Sequence, residues 1–162
     1  NPNITIFISL APFDFPAGDP NGTRPDWDTF AADNGFSSIQ EMFDFFINEI
    51  LHNEIVDQLR AEFPTTKIFT IPTGWATYNL YQMNIDGLLL DQIDMFGPTA
   101  SSIFVDSKGH QGDIVKKTGG LVWLNSIYNI DLSTFNFETG FNTDLHEIAN
   151  DINNNHDAEY KN

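Results

Sequence analysis

Apolar positions along this chain fall into two patterns. The first is the short, nearly continuous run. Ile4-Thr5-Ile6-Phe7-Ile8-Ser9-Leu10 is β-branched and apolar enough for a strand covered on both faces. Lys67 to Ile71 reads as a second strand, and Ile103-Phe104-Val105 as a third, shorter β-rich run. The second pattern recurs every three or four residues. Ile39, Met42, Phe43, Phe46, Ile47, Ile50 and Leu51, continued by Ile55 and Leu59, trace one face of a long amphipathic helix. Ser38-Ile39-Gln40-Glu41 has the form of a capping box at its start, and Pro64 follows its end. His52 falls beside that stripe and reads as a boundary residue. Pro72-Thr73-Gly74 turns the second strand into a helix bearing Trp75, Tyr78, Leu80, Tyr81 and Met83, closed by Asp86-Gly87. Ile114 to Ile127 predicts a buried helix. Gly119-Gly120 inside it costs helix stability, so a close packing contact or a break is expected there. Strands alternating with helices predict an α/β fold with a parallel sheet flanked by helices.

Between these elements lie less regular stretches. Ala11 to Gly35 is rich in Pro, Gly, Asp and Asn and reads as a long ordered loop. Its aromatics Phe13, Phe15, Trp27 and Phe30 either line a groove or pin the loop to the core, and pinning is favoured because large aromatics bury their surface. Asn3-Ile4-Thr5 and Asn21-Gly22-Thr23 are glycosylation sequons, relevant only in a eukaryotic secretory setting. In the mixed stretch Leu88 to Gly97, Asp91 and Asp94 share a side if helical, where a solvated acidic face is favoured over a catalytic carboxylate pair. After Asp131 the chain is expected to leave the core. Ser133 to Phe137 reads as a short strand or extended arm, and Asp144 to Ala149 as a short helix capped by Thr143. Asp151, Asn153, Asn155 and Asp157 place oxygen side chains at alternate positions, like the start of a calcium loop. His156 stands where such a loop needs Gly, and Asn162 where it needs Glu, so a polar tail is favoured.

Composition narrows the partners. The 162 residues suit one domain, and 41% hydrophobic content with 15 Phe supplies a core. A net charge of −16 would repel a phosphate backbone, which argues against nucleic acid and anionic membranes and for a very soluble surface. No apolar run reaches the roughly 18 residues that a bilayer span needs. With no cysteine, disulfides, thiolate metal sites and cysteine nucleophiles are excluded. That absence leaves the compartment open, with an extracellular or periplasmic setting favoured. No cofactor is implied.

Chemistry concentrates after the third strand. Val105-Asp106-Ser107-Lys108-Gly109-His110-Gln111-Gly112-Asp113 is a polar loop carrying a carboxylate and an imidazole immediately before a helix. In open α/β sheets ligands bind beyond the carboxyl ends of strands, where such loops sit. Asp106 there can orient His110 and fix which ring nitrogen holds the proton, as a general base requires. Gly109 and Gly112 permit sharp turns or a close approach.

This loop resembles the last conserved block of the SGNH (GDSL-type) hydrolases, in which an Asp and a His lie together before the final helix. Lys67-Ile68-Phe69-Thr70-Ile71-Pro72-Thr73-Gly74-Trp75-Ala76 is similar to the strand-Pro-helix segment preceding that block, and Leu121 to Tyr128 to the closing helix. The resemblance covers about residues 4 to 132. It implies a flavodoxin-like α/β domain and acyl-ester hydrolysis, with Asp106 and His110 as catalytic residues. The family usually has two residues between Asp and His, where this chain has Ser107, Lys108 and Gly109. The Gly-Asp-Ser nucleophile motif and the Gly-x-Asn-Asp block are absent, and the first strand runs into Ser9-Leu10-Ala11-Pro12. The resemblance therefore implies that residues 1–132 form the carboxyl-terminal part of such a domain, lacking its amino-terminal strands. Residues 133–162 would be an extension or docking arm. The serine would come from an upstream segment or a second chain that completes the sheet, and Asn1 opening almost directly onto a strand agrees with this. The rival expectation is a non-catalytic binding or self-assembling descendant of the fold, acidic and with calcium as an option.

Overall fold

The computed structural model describes residues 4–13, 27–106 and 108–162. Asn3, Phe15 and the sequon at Asn21 lie outside them. The fold is mixed α/β. Strand β1 (Thr5–Ser9) pairs in parallel with β2 (Lys67–Ile71), Thr5 opposite Lys67 and Ser9 opposite Ile71. The described part of the connection is helical: α1 (Trp27–Asp33), α2 (Ile39–Phe45), a π-helical stretch (Phe46–Val56) and α3 (Asp57–Glu62). After β2 come α4 (Thr73–Ile85), β3 (Asp94–Phe96) and β4 (Ser102–Phe104). Helices α5 (Asp113–Tyr128) and α6 (Leu145–Asn155) follow, with a 3-10 turn at Ala158–Tyr160. All strand pairing between these elements is parallel, but among the described residues it forms two separate pairs, β1-β2 and β3-β4, rather than the single sheet expected.

The long helix forms where its pattern predicts, but its winding changes partway. Ser38 caps α2 by accepting from the Glu41 N–H, while the Glu41 carboxylate takes the N–H and hydroxyl of Ser37 rather than reaching back to Ser38. Ile39, Phe43 and Ile47 are buried at four-residue spacing. The π-helical stretch then adds one residue to the repeat, so the inward positions become His52 and Val56. Ile55, expected on the buried stripe, is 45% exposed, and His52, expected at its boundary, is 2% exposed.

The loop aromatics do pin. Trp27 opens a helix where a loop was expected, and its buried ring packs on Tyr78, Tyr81 and Phe104 at centroid distances of 5.0, 4.9 and 5.7 Å. Phe13 sits edge-on to Phe43 and Phe30, and its N–H donates to the buried Tyr78 hydroxyl at 2.7 Å. Burial raises the Tyr78 pKa, which keeps the phenol protonated. Gly74 is a point of close approach. Its N–H donates to the Leu10 carbonyl, and a Cβ there would stand 2.5 Å from the Phe43 ring and 2.9 Å from the Leu10 oxygen. Gly119 and Gly120, by contrast, neither break α5 nor mark a tight contact. A Cβ at Gly119 would meet Thr73 at an ordinary 3.7 Å, and one at Gly120 would meet nothing.

Helix α6 packs along α5 and contributes Leu145, Ala149 and Ile152 to the same core as Leu121 and Val122. Residues 133–137 form no strand. The cap of α6 is Asp144, whose carboxylate accepts from the N–H groups of His146 and Glu147. Thr143 is engaged elsewhere, because the Asp91 carboxylate accepts from the backbone and side chains of Asn142 and Thr143. Desolvation works to raise the Asp91 pKa, and those four hydrogen bonds outweigh it. Asp91 is thus a loop anchor, not half of an acid pair with Asp94, which lies on β3.

Candidate active site

The loop after β4 folds back onto its own strand. Phe104 bridges Gln111 in antiparallel fashion, the Val105 N–H donates to the His110 carbonyl at 2.8 Å, and the Gly112 N–H donates to the Ile103 carbonyl at 2.7 Å. Gly109 makes the reversal in the left-handed region, at φ +86°. At Gly112 the two backbones pass so closely that a Cβ would lie 1.8 Å from the Ser102 oxygen. Gln111 fastens the loop to α4 through a 2.8 Å hydrogen bond to the Thr77 hydroxyl.

This folding brings Asp106 and His110 together, three intervening residues notwithstanding. One Asp106 carboxylate oxygen accepts from the N–H groups of Lys108 and His110, and the other is 2.5 Å from His110 Nδ1. A carboxylate partner places the proton on Nδ1 and leaves Nε2 as the acceptor. The hydrogen bond from the His110 ring, together with those from the two backbone N–H groups, holds the Asp106 carboxyl below the usual range. Both side chains are open to solvent, His110 at 68% and Asp106 at 41%. Among the described residues no hydroxyl hydrogen-bonds to His110 Nε2. The hydroxyls nearest the ends of β1 and β2 are engaged with each other instead: Ser9 donates to Thr73 Oγ1 at 3.1 Å, as does the Trp123 indole N–H at 2.8 Å.

The oxygen-bearing residues weighed for calcium do not converge. Asp151, Asn153 and Asn155 lie on α6, where residues two apart point to nearly opposite sides. Asn153 is turned inward, accepting from the Ser126 hydroxyl and donating to the carbonyls of Val122 and Ala149. Asp157 starts the final turn by accepting from the Glu159 N–H. Among the described residues no three His, Asp or Glu side chains gather as metal ligands.

The sequence reading missed a second polar constellation. Thr70 Oγ1, on β2, lies 3.0 Å from His52 Nε2 and 2.8 Å from His156 Nε2. His52 stacks flat on Tyr160, with centroids 3.5 Å apart and planes 6° apart, and the Tyr160 hydroxyl donates to Asp57. The Arg60 guanidinium lies over the Tyr160 ring, 4.4 Å from its centre. The one available signal was Thr70, a polar residue among the apolar positions Ile68, Phe69 and Ile71 of β2. Comparison with protein-family models, with characterised proteins and with solved structures finds no match for this chain.

Proposed function

We propose that Asp106 and His110 are the orienting acid and general base of a serine-dependent acyl-ester hydrolase, the nucleophile being supplied by an upstream portion of the same gene product or by a second chain. The observation that carries this reading is the Asp106–His110 hydrogen bond on an exposed loop between a parallel strand and a helix. His110 Nε2 would take the proton of the attacking hydroxyl as the ester carbonyl is converted to a tetrahedral adduct. The same nitrogen would return that proton to the departing alcohol. Water, activated by the same imidazole, would then release the acid from the acyl-serine. Asp106 would hold the ring in the tautomer this requires and stabilise the imidazolium.

The test is intact-mass analysis of every polypeptide in the native preparation, before and after a fluorophosphonate probe. A labelled serine on an attached or co-purifying segment is expected. In that assembly His110→Ala should lower ester turnover by at least about 10³-fold, and Asp106→Asn comparably, with binding of the second segment unchanged. Unchanged turnover in His110→Ala would refute the assignment.

A second reading is favoured by one observation. Ile4, just before β1, and Ile6, on it, are 48% and 38% exposed, and the outer edge of β1 is unpaired among the described residues. An open edge with apolar side chains is a template for strand addition, which suits an assembly protein that has kept the fold without its chemistry. Absence of any labelled serine, together with concentration-dependent oligomers, would favour it.

A further inference from the structure

Helices α2, α4 and α6, with the π-helical stretch between α2 and α3, enclose a cleft of about 530 Å³, in the usual range for a small-molecule site. Its walls are polar in an ordered way. Asp44 and Asn48 are one turn apart on the first wall, Trp75 and Asn79 one turn apart on α4, and Asn155 ends α6. Among the described residues the side chains of Asp44, Asn48, Asn79 and Asn155 have no hydrogen-bonding or ionic partner within the protein. Three amides and a carboxylate from three separate segments thus face one space with their hydrogen-bonding capacity unspent. The floor is apolar, formed by Ile47 and Ile152, and Trp75 adds a half-buried indole held edge-on by Phe43.

The lining selects its ligand. It holds no Lys or Arg, and its two carboxylates, Asp44 and Asp157, would repel an anion. His156, also on the wall, is kept neutral near pH 7 by burial and by its neighbours, His52 first among them. An organic cation would satisfy the carboxylates but leave six amide N–H groups without an acceptor. Hydroxyl groups, each donor and acceptor at once, match amides and carboxylates together, and the indole offers a flat apolar surface to the C–H face of a ring. We infer that this cleft is a binding site for a neutral carbohydrate, with Asn48, Asn79 and Asn155 reading its hydroxyls and Trp75 seating its ring. The site is independent of the Asp106–His110 pair. Trp75 lies about half a helical turn round α4 from Thr73 and Thr77, the side to which Gln111 is fastened.

The test is calorimetric titration of the full chain with glucose, galactose, mannose, xylose, N-acetylglucosamine and cellobiose, with choline as a cationic counter-probe. At least one saccharide is expected to bind with Kd of about 1 mM or tighter. Asn48→Ala and Asn79→Ala, both partly exposed, should each weaken it by about fivefold or more with an unchanged melting temperature. Trp75→Phe should weaken it while preserving the Phe43 contact. Failure of all six saccharides to saturate, choline binding in their place, or saccharide affinity indifferent to both Asn variants would each overturn the inference.

Discussion

Acidification from pH 7 to pH 4 is expected to cost this fold about 3 kcal/mol for each of His52 and His156, as an upper figure. Burial depresses the His52 pKa from 6.5 to about 4, with Arg60 adding to the effect and Asp157 and Asp57 opposing it. His156 falls to about 4 as well, through burial, then the neighbouring His52 and Lys161, against the Thr70 hydrogen bond and Asp157. A folded pKa below the unfolded one means that the unfolded chain takes up protons first. The stabilisation is therefore complete above pH 6.5 and is lost as the pH falls towards 4. The geometry supplies the reason. Thr70 has one hydroxyl proton, so it donates to one imidazole and accepts from the other, and the two neutral rings must differ at Nε2. With both rings charged, both Nε2–H groups would point at that oxygen, its own proton would lose its acceptor, and two positive rings would stand 5.7 Å apart. Urea unfolding at pH 7, 5.5 and 4 checks this, in parallel with His156→Gln, whose loss of stability across that window should be about half as large. Acid also relieves the mutual repulsion within a net charge of −16, which acts in the opposite direction. A wild-type stability that rises steadily to pH 4 would show that the two imidazoles do not control the acid limb.

Gly112→Ala is expected to destabilise by about 3 kcal/mol or more and to dismantle the loop that holds Asp106 to His110. The added Cβ would lie 1.8 Å from the Ser102 oxygen, 2.8 Å from its carbonyl carbon and 3.2 Å from the Thr99 oxygen. All three are backbone atoms. They cannot yield cheaply, because Ser102 is held by its hydroxyl to the Gly97 and Pro98 carbonyls and Gly112 donates to Ile103. Gly120→Ala is the matched control, since it adds the same methyl group to open space on an exposed helix position. It should stabilise by roughly 0.5–1 kcal/mol. Urea midpoints of the two variants, with the ¹H–¹⁵N signal of the His110 ring, read both effects. Equal midpoints would show that the strand and loop separate more easily than their hydrogen bonds imply.

Much of the architecture was legible because its signals are local. The apolar runs at Ile4 and Lys67, the Ser38 cap, the turn at Pro72 and the amphipathic stretch from Ile114 each depend on residues within a few positions. Asp106 and His110 stand four positions apart, and their pairing rests on the left-handed turn at Gly109 and the backbone hydrogen bonds that fold the loop back on its strand. Longer-range facts left no local trace. Asp91 takes Thr143 away from the α6 cap across a separation of 52 residues, so the cap falls to Asp144. Ile55 is far more hydrophobic than His52, so the sequence alone turned Ile55 inward and left His52 at the boundary, whereas the fully inward pair there is His52 and Val56, with Leu51 partly buried against the large core. The inward pair is set by a strand hydroxyl 18 residues further on and a closing turn beyond residue 156. The cleft lined by Asn48 and Asn79 was invisible for the same reason, its walls being brought together only by tertiary packing.

The extra residue in the helical repeat has a consequence for how the molecule comes apart. Residues 39–47 are keyed to the large core around Tyr78, whereas among the described residues Val56 belongs to a separate small cluster with Ile68 and Tyr160. One helix thus spans two cores of very unequal size, joined through polar groups at His52 rather than through continuous apolar packing. Rupture of that joint would release the last turn of the chain and the α3 end of the helix while the larger core stayed closed. The smaller core is therefore the molecule's natural point of first opening, a hinge between a durable body and a detachable end.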